Sequence, residues 1–311
     1  MILEARLREA KRGCCFIRCR RDANFGANFM LRTLTVSLAV FLANLTLSPF
    51  ELAPAYAADP AVISTSLNYD SQAERQLLEM ANQARAQAGL SALQIDEGLR
   101  KAARAHTAIQ ASREKLSHQL PGEPALAQRL AANSDLHLER GGENVAFAAS
   151  LDQVQRSLMT SPPHRENLLN PAFNVAGFGV VRRGYVLYVT QDFAQAGPTY
   201  SASASEEMVA DAITHVREQK KLSRLRRLKT GAAQSTACSM AESNSLHTPL
   251  SRELKQSRYI LRYTSNHPEQ LPTSSPRVLE DRDIRAFAVG SCYARTPSYP
   301  NGVYWVALTF Y

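Results

Sequence analysis

Two motifs that would identify a hydrolase at once are missing from this 311-residue sequence. Neither the zinc-protease pattern H-E-x-x-H nor the nucleophile elbow G-x-S-x-G occurs in it. Cysteine is also scarce, because Cys14, Cys15 and Cys19 lie near the start and leave Cys238 and Cys292 for the rest. The spacing of the first three fits no structural zinc pattern. These absences exclude a ready-made zinc protease and a disulfide-dense scaffold.

Long apolar runs are rare, and the one near the start has the form of an export signal. A basic stretch precedes the uncharged run TLTVSLAVFLANLTLSPF, and APAYAADP follows with small residues at cleavage spacing. The pattern predicts a leader over residues 1–57 with a cleaved signal peptide, Met30 as the true start, and a linker over 58–70. A membrane anchor is the alternative, but the run is barely long enough and Pro49 interrupts it. We therefore expect a secreted, periplasmic or extracellular protein.

The remaining length suits two domains of ordinary size, and the 45% apolar content suffices for real cores. Residues 71–196 read as helices followed by a strand–turn–strand unit, which predicts an α+β fold rather than a parallel sheet. Ser71 and Glu74 have capping-box spacing at the first helix, and the glycines before Glu143 predict a turn. A small-residue linker is expected at 197–205, followed by a second domain over 206–311.

The second domain echoes the first. With an offset of 132 residues, Arg85 corresponds to Arg217 and Leu93 to Leu225. Both domains also end in a strand, a turn and a strand. An internal repeat is best sought before a fold is assigned, and we interpret 206–311 as a shortened, diverged copy of the first domain.

Three polar residues of the first domain lie at breaks between elements, where side chains are set for binding rather than packing. His118 follows a helix, Glu143 follows two glycines, and His164 follows two prolines. A shared site that uses acid–base chemistry or a metal needs such side chains from separate segments. His106, on the apolar face of a helix, is expected to be a core residue, and His137 a surface residue.

The stretches LSHQLPGE, GGENVAFAA and TSPPHRENLLNPAFNVAGFGVV resemble the motifs of the CAP family (cysteine-rich secretory proteins, antigen 5, pathogenesis-related 1). The resemblance implies an α-β-α sandwich with an open central cleft, followed by a smaller, degenerate CAP-like α+β domain. His118, Glu143 and His164 fall on two histidines and one acid of the family's cleft. The second acid falls near Ser161, where the sequence departs from the family, and Glu166 is better explained as a first-turn carboxylate.

The resemblance also implies a loosely bound divalent cation such as zinc, held by His118, His164 and Glu143; no cofactor is otherwise expected. The same three residues are the candidate catalytic groups if the protein is an enzyme. A nucleophilic pair of Ser161 and His164 is conceivable, although no elbow accompanies it. Cys238 and Cys292 can form one disulfide in an exported chain, and the sequence does not decide whether the two sulfurs meet.

The run from Arg217 to Lys229 is rich in basic residues. It reads either as a solvated helix face or as a surface attracted to anionic envelope polymers or lipid headgroups. Nucleic acid is not expected as a partner, because no aromatic residues interleave with these charges.

Three functions remain open from the sequence. The first is a non-enzymatic binding protein whose cleft takes a small ligand, a peptide or a cation, with a cell-envelope component as partner. The second is a metal-assisted or acid–base hydrolase acting on envelope peptides or cell-wall material. The third is a purely structural envelope protein. We favour the first, and with it a protein that is not an enzyme.

Overall fold

The computed structural model describes residues 2–4 and 68–311. The predicted signal peptide, the start at Met30 and nearly all of the 58–70 linker lie outside the described residues. Within them, no helix combines the length and apolar character needed to cross a membrane.

Two sheets, each covered by helices, make up the described chain. The first uses residues 69–197, here called the N-terminal half, and contains α1 (Ser71–Gln87), β2 (Gln94–Ile95), α2 (Glu97–Arg113), α3 (Leu126–Asn133), β3 (His137–Ala148), α4 (Leu151–Thr160), α5 (Pro162–Leu168), β4 (Val175–Arg183) and β5 (Val186–Gly197). The second uses residues 202–311, the C-terminal half, and contains α6 (Ala202–Gln219), β6 (Arg226–Arg227), α7 (Gly231–Glu242), a 3-10 helix (Leu254–Gln256), β7 (Tyr259–Ser265), α8 (Ser275–Leu279), β8 (Ala286–Thr296) and β9 (Tyr299–Phe310). The strand β1 (Ile2–Glu4) runs parallel to β7.

Side chains alternate across the first sheet, as the period of a strand requires. On one face, Phe178, Val189 and Phe193 pack with the apolar side chains of α1 and α4. On the other face, α2 lies so close that a Cβ added at Gly179 would come within 2.6 Å of the Ala103 backbone. Helices therefore cover both faces, which confirms the predicted α-β-α sandwich.

The first helix begins differently from the prediction. Asp70, not Ser71, is the N-cap residue, and its carboxylate accepts a hydrogen bond of 2.9 Å from the Ala73 amide. A capping box at Ser71 is therefore wrong by one residue, because Asp70 supplies the stronger acceptor one position earlier. At the other boundary, β5 reaches Gly197 and α6 starts at Ala202, so the predicted 197–205 linker has only four residues outside regular structure.

The two halves connect their strands in the same order. The first sheet runs β2-β4-β5-β3 and the second runs β6-β8-β9-β7, with β1 added beyond β7. In both, a two-residue strand lies parallel to the first strand of an antiparallel hairpin. The close approach of helix to sheet also recurs, since a Cβ at Gly290 would lie 2.2 Å from the Ala233 backbone of α7.

A buried arginine lies in the last turn of the first helix of each half. Arg85 donates to the carbonyls of Ser91, Leu168, Asn170 and Phe173. Arg217 donates in the same way to the carbonyls of Ser223, Leu279 and Asp281. In each half the guanidinium thus joins the first helix to the loop after the short proline-containing helix.

The burial of Arg217 corrects the predicted basic surface. Its side chain is only 2% exposed, so it takes no part in a charged surface. Lys220 pairs with Glu280, Arg224 with Glu218, and Arg227 with Glu206. Acidic neighbours, one inside the run (Glu218) and two outside it (Glu206 and Glu280), therefore offset part of its charge.

Residues 131–139 of the N-terminal half lie against the C-terminal half. His137, predicted to lie on the surface, is 1% exposed because its ring packs edge-on against Tyr293 and Tyr304 of the C-terminal half. The prediction for His137 was wrong because a single domain cannot reveal which of its loops another domain covers.

Cys238 on α7 and Cys292 on β8 form a disulfide, with their Cα atoms 5.1 Å apart. The bond closes a loop of 54 residues within the C-terminal half. It fastens α7 to the sheet on the face where Ala237, Met240 and Trp305 pack.

We expect Cys238→Ser combined with Cys292→Ser to lower the free energy of unfolding by about 4 kcal/mol, from the entropy of closing a loop of this length. Urea denaturation of both proteins under non-reducing conditions measures the difference. A reductant should bring the wild-type midpoint to that of the double variant. Equal midpoints without reductant would show that the disulfide is absent.

Candidate functional site

The three predicted site residues meet at the outer edge of the first sheet. Glu143 lies in the middle of β3, an edge strand, while His118 comes from the loop after α2 and His164 from α5. His118 Nδ1 is 2.9 Å from Glu143 Oε1. The two imidazole rings are stacked at an interplanar angle of 22°, with centroids 6.5 Å apart. We call these three residues the edge cluster.

Glu143 does not follow a turn, contrary to the prediction. The Gly141-Gly142 pair continues β3 without a break. A Cβ at Gly142 would lie 3.0 Å from both the Asn167 and the Phe173 side chains, so the glycine provides room for close packing. Two adjacent glycines serve equally well for a turn and for a crowded strand, and sequence alone does not separate the two.

Both carboxylate oxygens of Glu143 have partners. Oε1 accepts from His118 Nδ1, and Oε2 accepts from the guanidinium of Arg129 on α3. Because a carboxylate only accepts, His118 carries a proton on Nδ1, and Nε2 is the acceptor of the neutral ring. The His118 side chain is 52% exposed whereas that of Glu143 is 2% exposed, so a buried anion orients an accessible base.

A second buried pair fixes the loop that carries His118. His106 Nδ1 lies 2.7 Å from Glu123 Oε1, and His106 Nε2 lies 2.9 Å from the Ser117 carbonyl oxygen. The carbonyl only accepts, so Nε2 is protonated, and one further proton lies between Nδ1 and Glu123. His106 is therefore a core residue, as predicted, and it also anchors the segment on either side of His118.

Asp192 on β5 lies directly opposite Glu143 in the antiparallel pair. It is completely buried, and no described group donates a hydrogen bond to either of its oxygens. Burial, followed by the negative charge of Glu143, raises the pKa of Asp192 well above its ordinary value. The raised pKa favours the protonated form of Asp192, while Glu143 forms an ion pair with Arg129.

His164 is held by amide side chains of β3 and α5. Its carbonyl accepts from Asn144 Nδ2 at 3.0 Å, and Asn167 Nδ2 donates to the Glu143 carbonyl at 3.1 Å. Its Nδ1 lies 2.7 Å from Ser161 Oγ. Partial burial, and secondarily the charge of His118, lower the pKa of His164. Burial therefore favours the neutral form of the His164 ring.

The residues present do not fit the divalent cation that the family resemblance implies. Among the described residues, no group of three or more His, Cys, Asp or Glu side chains is arranged to hold a metal ion. The physical reason is visible at Glu143, whose two oxygens are taken by His118 and by the cationic Arg129. Ser161 stands where the family resemblance would place a second acid, and it supplies no charge to replace Glu143.

The comparison with known proteins matches this region. Residues 78–193 match the cysteine-rich secretory protein family, CAP. The chain carries a CAP domain. The resemblance stated from the motifs is confirmed, and the domain places this part of the chain in a family of extracellular proteins.

Individual relatives cover only part of the chain. YkwD, an uncharacterized protein of Bacillus subtilis, is 33% identical over 144 residues, which are 45% of this chain and 54% of the relative. The chain thus spans about half the length of the curated relative it matches. An extracellular SCP-domain protein of Bacillus anthracis is 25% identical, with a TM-score of 0.37. The matched region covers 40% of this chain and 41% of that protein's chain. A cysteine-rich secretory protein of Staphylococcus aureus is 25% identical, covers 40% and 39%, and has a TM-score of 0.34.

Replacing the two opposed acids by amides should have unequal effects. Glu143→Gln removes the carboxylate nearest to the buried Arg129 and leaves only Glu123, 3.6 Å away, beside that charge. We expect this to cost about 3–5 kcal/mol of unfolding free energy. Asp192→Asn should cost far less, because burial and the charge of Glu143 already disfavour the ionised form of Asp192. Urea denaturation of the two variants at pH 7 compares them, and equal losses would contradict the assigned charges.

The Asp192→Asn variant also tests how the free energy of unfolding depends on pH. Folding raises the pKa of Asp192. The contribution of Asp192 to the free energy of unfolding is therefore complete below its unfolded pKa of about 3.9, and it is lost as the pH rises toward its folded pKa. Wild-type stability relative to Asp192→Asn should therefore fall steadily between about pH 4 and pH 7. A difference that stays constant over this range would mean that Asp192 is ionised throughout.

His164 should titrate below the ordinary histidine range in an NMR pH titration. His118→Ala should raise its midpoint only partly, because burial is the larger cause of the lowered pKa. A return to the full ordinary value would make the charge of His118 the dominant cause.

Proposed function

We propose that the protein is an exported CAP-domain binding protein whose edge cluster takes a small polar ligand or a peptide at the cell envelope. The observation that supports this most directly is the His118–Glu143 contact, with a half-exposed ring on a buried carboxylate. A neutral imidazole held in one tautomer offers a fixed acceptor to a hydroxyl, amide or ammonium group. Binding therefore requires no metal in this arrangement.

Two features support export. The CAP match is to a secretory family, and the Cys238–Cys292 disulfide is of the kind that persists in oxidising compartments. The leader itself remains a prediction from the sequence.

We further propose that the C-terminal half is a degenerate copy of the CAP domain that has lost its site. The common strand order and the matching arginines, Arg85 and Arg217, support this. If the hairpins are aligned on Gly179 and Gly290, the strand registers place Ile260 at the position of Glu143 and Thr309 at that of Asp192. The frame is then retained while an apolar residue and a hydroxyl replace the two acids.

A hydrolase acting on envelope material is the second candidate, and one observation favours it. An imidazole oriented by a carboxylate is the arrangement of a general base and its positioning group. Ser161 Oγ lies 2.7 Å from His164 Nδ1, so Ser161 is the partner of His164 and not of His118. His118, the base that Glu143 orients, would therefore have to activate a water molecule.

One experiment separates the two candidates. The mature protein is titrated with soluble cell-wall fragments and with a peptide library, and the same mixtures are assayed for turnover, with and without chelator. We expect binding without turnover, and a loss of at least about tenfold in affinity for His118→Ala and for His164→Ala, because each removes one polar contact of about 1.4 kcal/mol.

The control is His215→Ala, which removes an exposed histidine of α6 in the other half. Circular dichroism verifies that each variant is folded. A chelator-insensitive rate that disappears in His118→Ala would favour the hydrolase. Unchanged binding in every variant would refute a role for the edge cluster.

A further inference from the structure

We propose that the C-terminal half serves to position the edge cluster, and that Arg295 is the residue through which it does so. The proposal goes beyond ligand binding, because it assigns a role to a half of the chain that keeps no site of its own. It rests on the proposed function only in treating the edge cluster as the site.

Arg295 of β8 bridges two carbonyl groups of the other half. Its Nη1 donates to the Ala131 carbonyl and its Nη2 to the Leu136 carbonyl, both at 2.9 Å. Ala131 belongs to the last turn of α3, and Leu136 directly precedes β3. A cation is favourable at the carbonyl end of a helix, and a planar guanidinium holds two acceptors in a fixed relation.

Two more contacts fall on the same segment. The His137 ring packs against Tyr293 and Tyr304 with centroids 5.1 and 5.9 Å away. His267 Nε2 lies 3.3 Å from Glu139 Oε2. The C-terminal half thus contacts residues 131–139 at a helix end, at a strand start and along the strand.

This segment joins the two residues that hold His118. Arg129 lies two positions before Ala131, and it donates both to Glu143 and to the His118 carbonyl, the latter at 3.2 Å. Glu143 lies four positions after Glu139 on β3. A contact that fixes residues 131–139 therefore fixes the distance between the cation and the anion of the buried pair.

The helix that carries Arg129 has only eight residues. Helices of that length are marginal on their own and depend on packing. Without Arg295, the last turn of α3 loses the cation at its carbonyls. We expect this turn to fray, which would weaken the hydrogen bond between Arg129 and Glu143.

The test uses Arg295→Ala in the full mature chain. Because an exposed guanidinium contributes only about 0–1 kcal/mol to global stability, the variant should fold. We expect the amides of residues 129–136 to exchange with solvent at least about tenfold faster. We also expect the ¹⁵N shifts of the His118 ring to move from a single Nδ1–H tautomer toward a mixture.

Arg224→Ala is the matched control, since Arg224 is an exposed arginine of the same half that pairs with its own neighbour Glu218. It should change neither readout. Arg295→Lys keeps the charge but lacks the planar guanidinium that holds two carbonyls in a fixed relation, so it should give an intermediate result. Folded Arg295→Ala with unaltered exchange and unaltered His118 shifts would overturn the proposal. No ligand enters these measurements, so their outcome is independent of whether the proposed binding function is correct.

Discussion

The organisation of the CAP domain depends on one buried carboxylate, that of Glu143. An ionised group at 2% exposure is stable only when charge and hydrogen bonds replace its lost hydration. Arg129 supplies the charge and His118 a hydrogen bond, and each comes from a different segment. To satisfy a single side chain, the fold must therefore bring the loop after α2 and the helix α3 to the edge of β3.

The neighbouring groups keep that pair balanced. Asp192 faces Glu143 across the strand pair, and two ionised acids there would leave an excess negative charge in the core. Burial and the charge of Glu143 raise the pKa of Asp192, which disfavours this second negative charge. His106 and Glu123 share one proton and add no net charge. Below the half-exposed His118 ring, the carboxylate oxygens of Glu143 are thus already taken by hydrogen bonds and by the charge of Arg129.

The sequence predicted those parts of the molecule that depend on local pattern or on a set of motifs. The α+β sandwich and the proximity of His118, Glu143 and His164 are of this kind. It did not reveal Arg129, Glu123 or Asp192, because nothing local distinguishes a buried arginine or acid from a surface one. The asparagines of GEN and HREN were a usable signal, since amides beside site residues often position them, and Asn144 and Asn167 do so here.

Arg217 shows why a charge run is an unreliable guide. Within its own stretch it is one basic residue among many, and only its correspondence to Arg85 distinguishes it. Both arginines donate to carbonyls at the end of a short helix. If the C-terminal half is a diverged copy, as we propose, it has kept an arginine that the fold needs and has replaced the two acids of the site. That pattern would agree with the supporting role that we propose for this half.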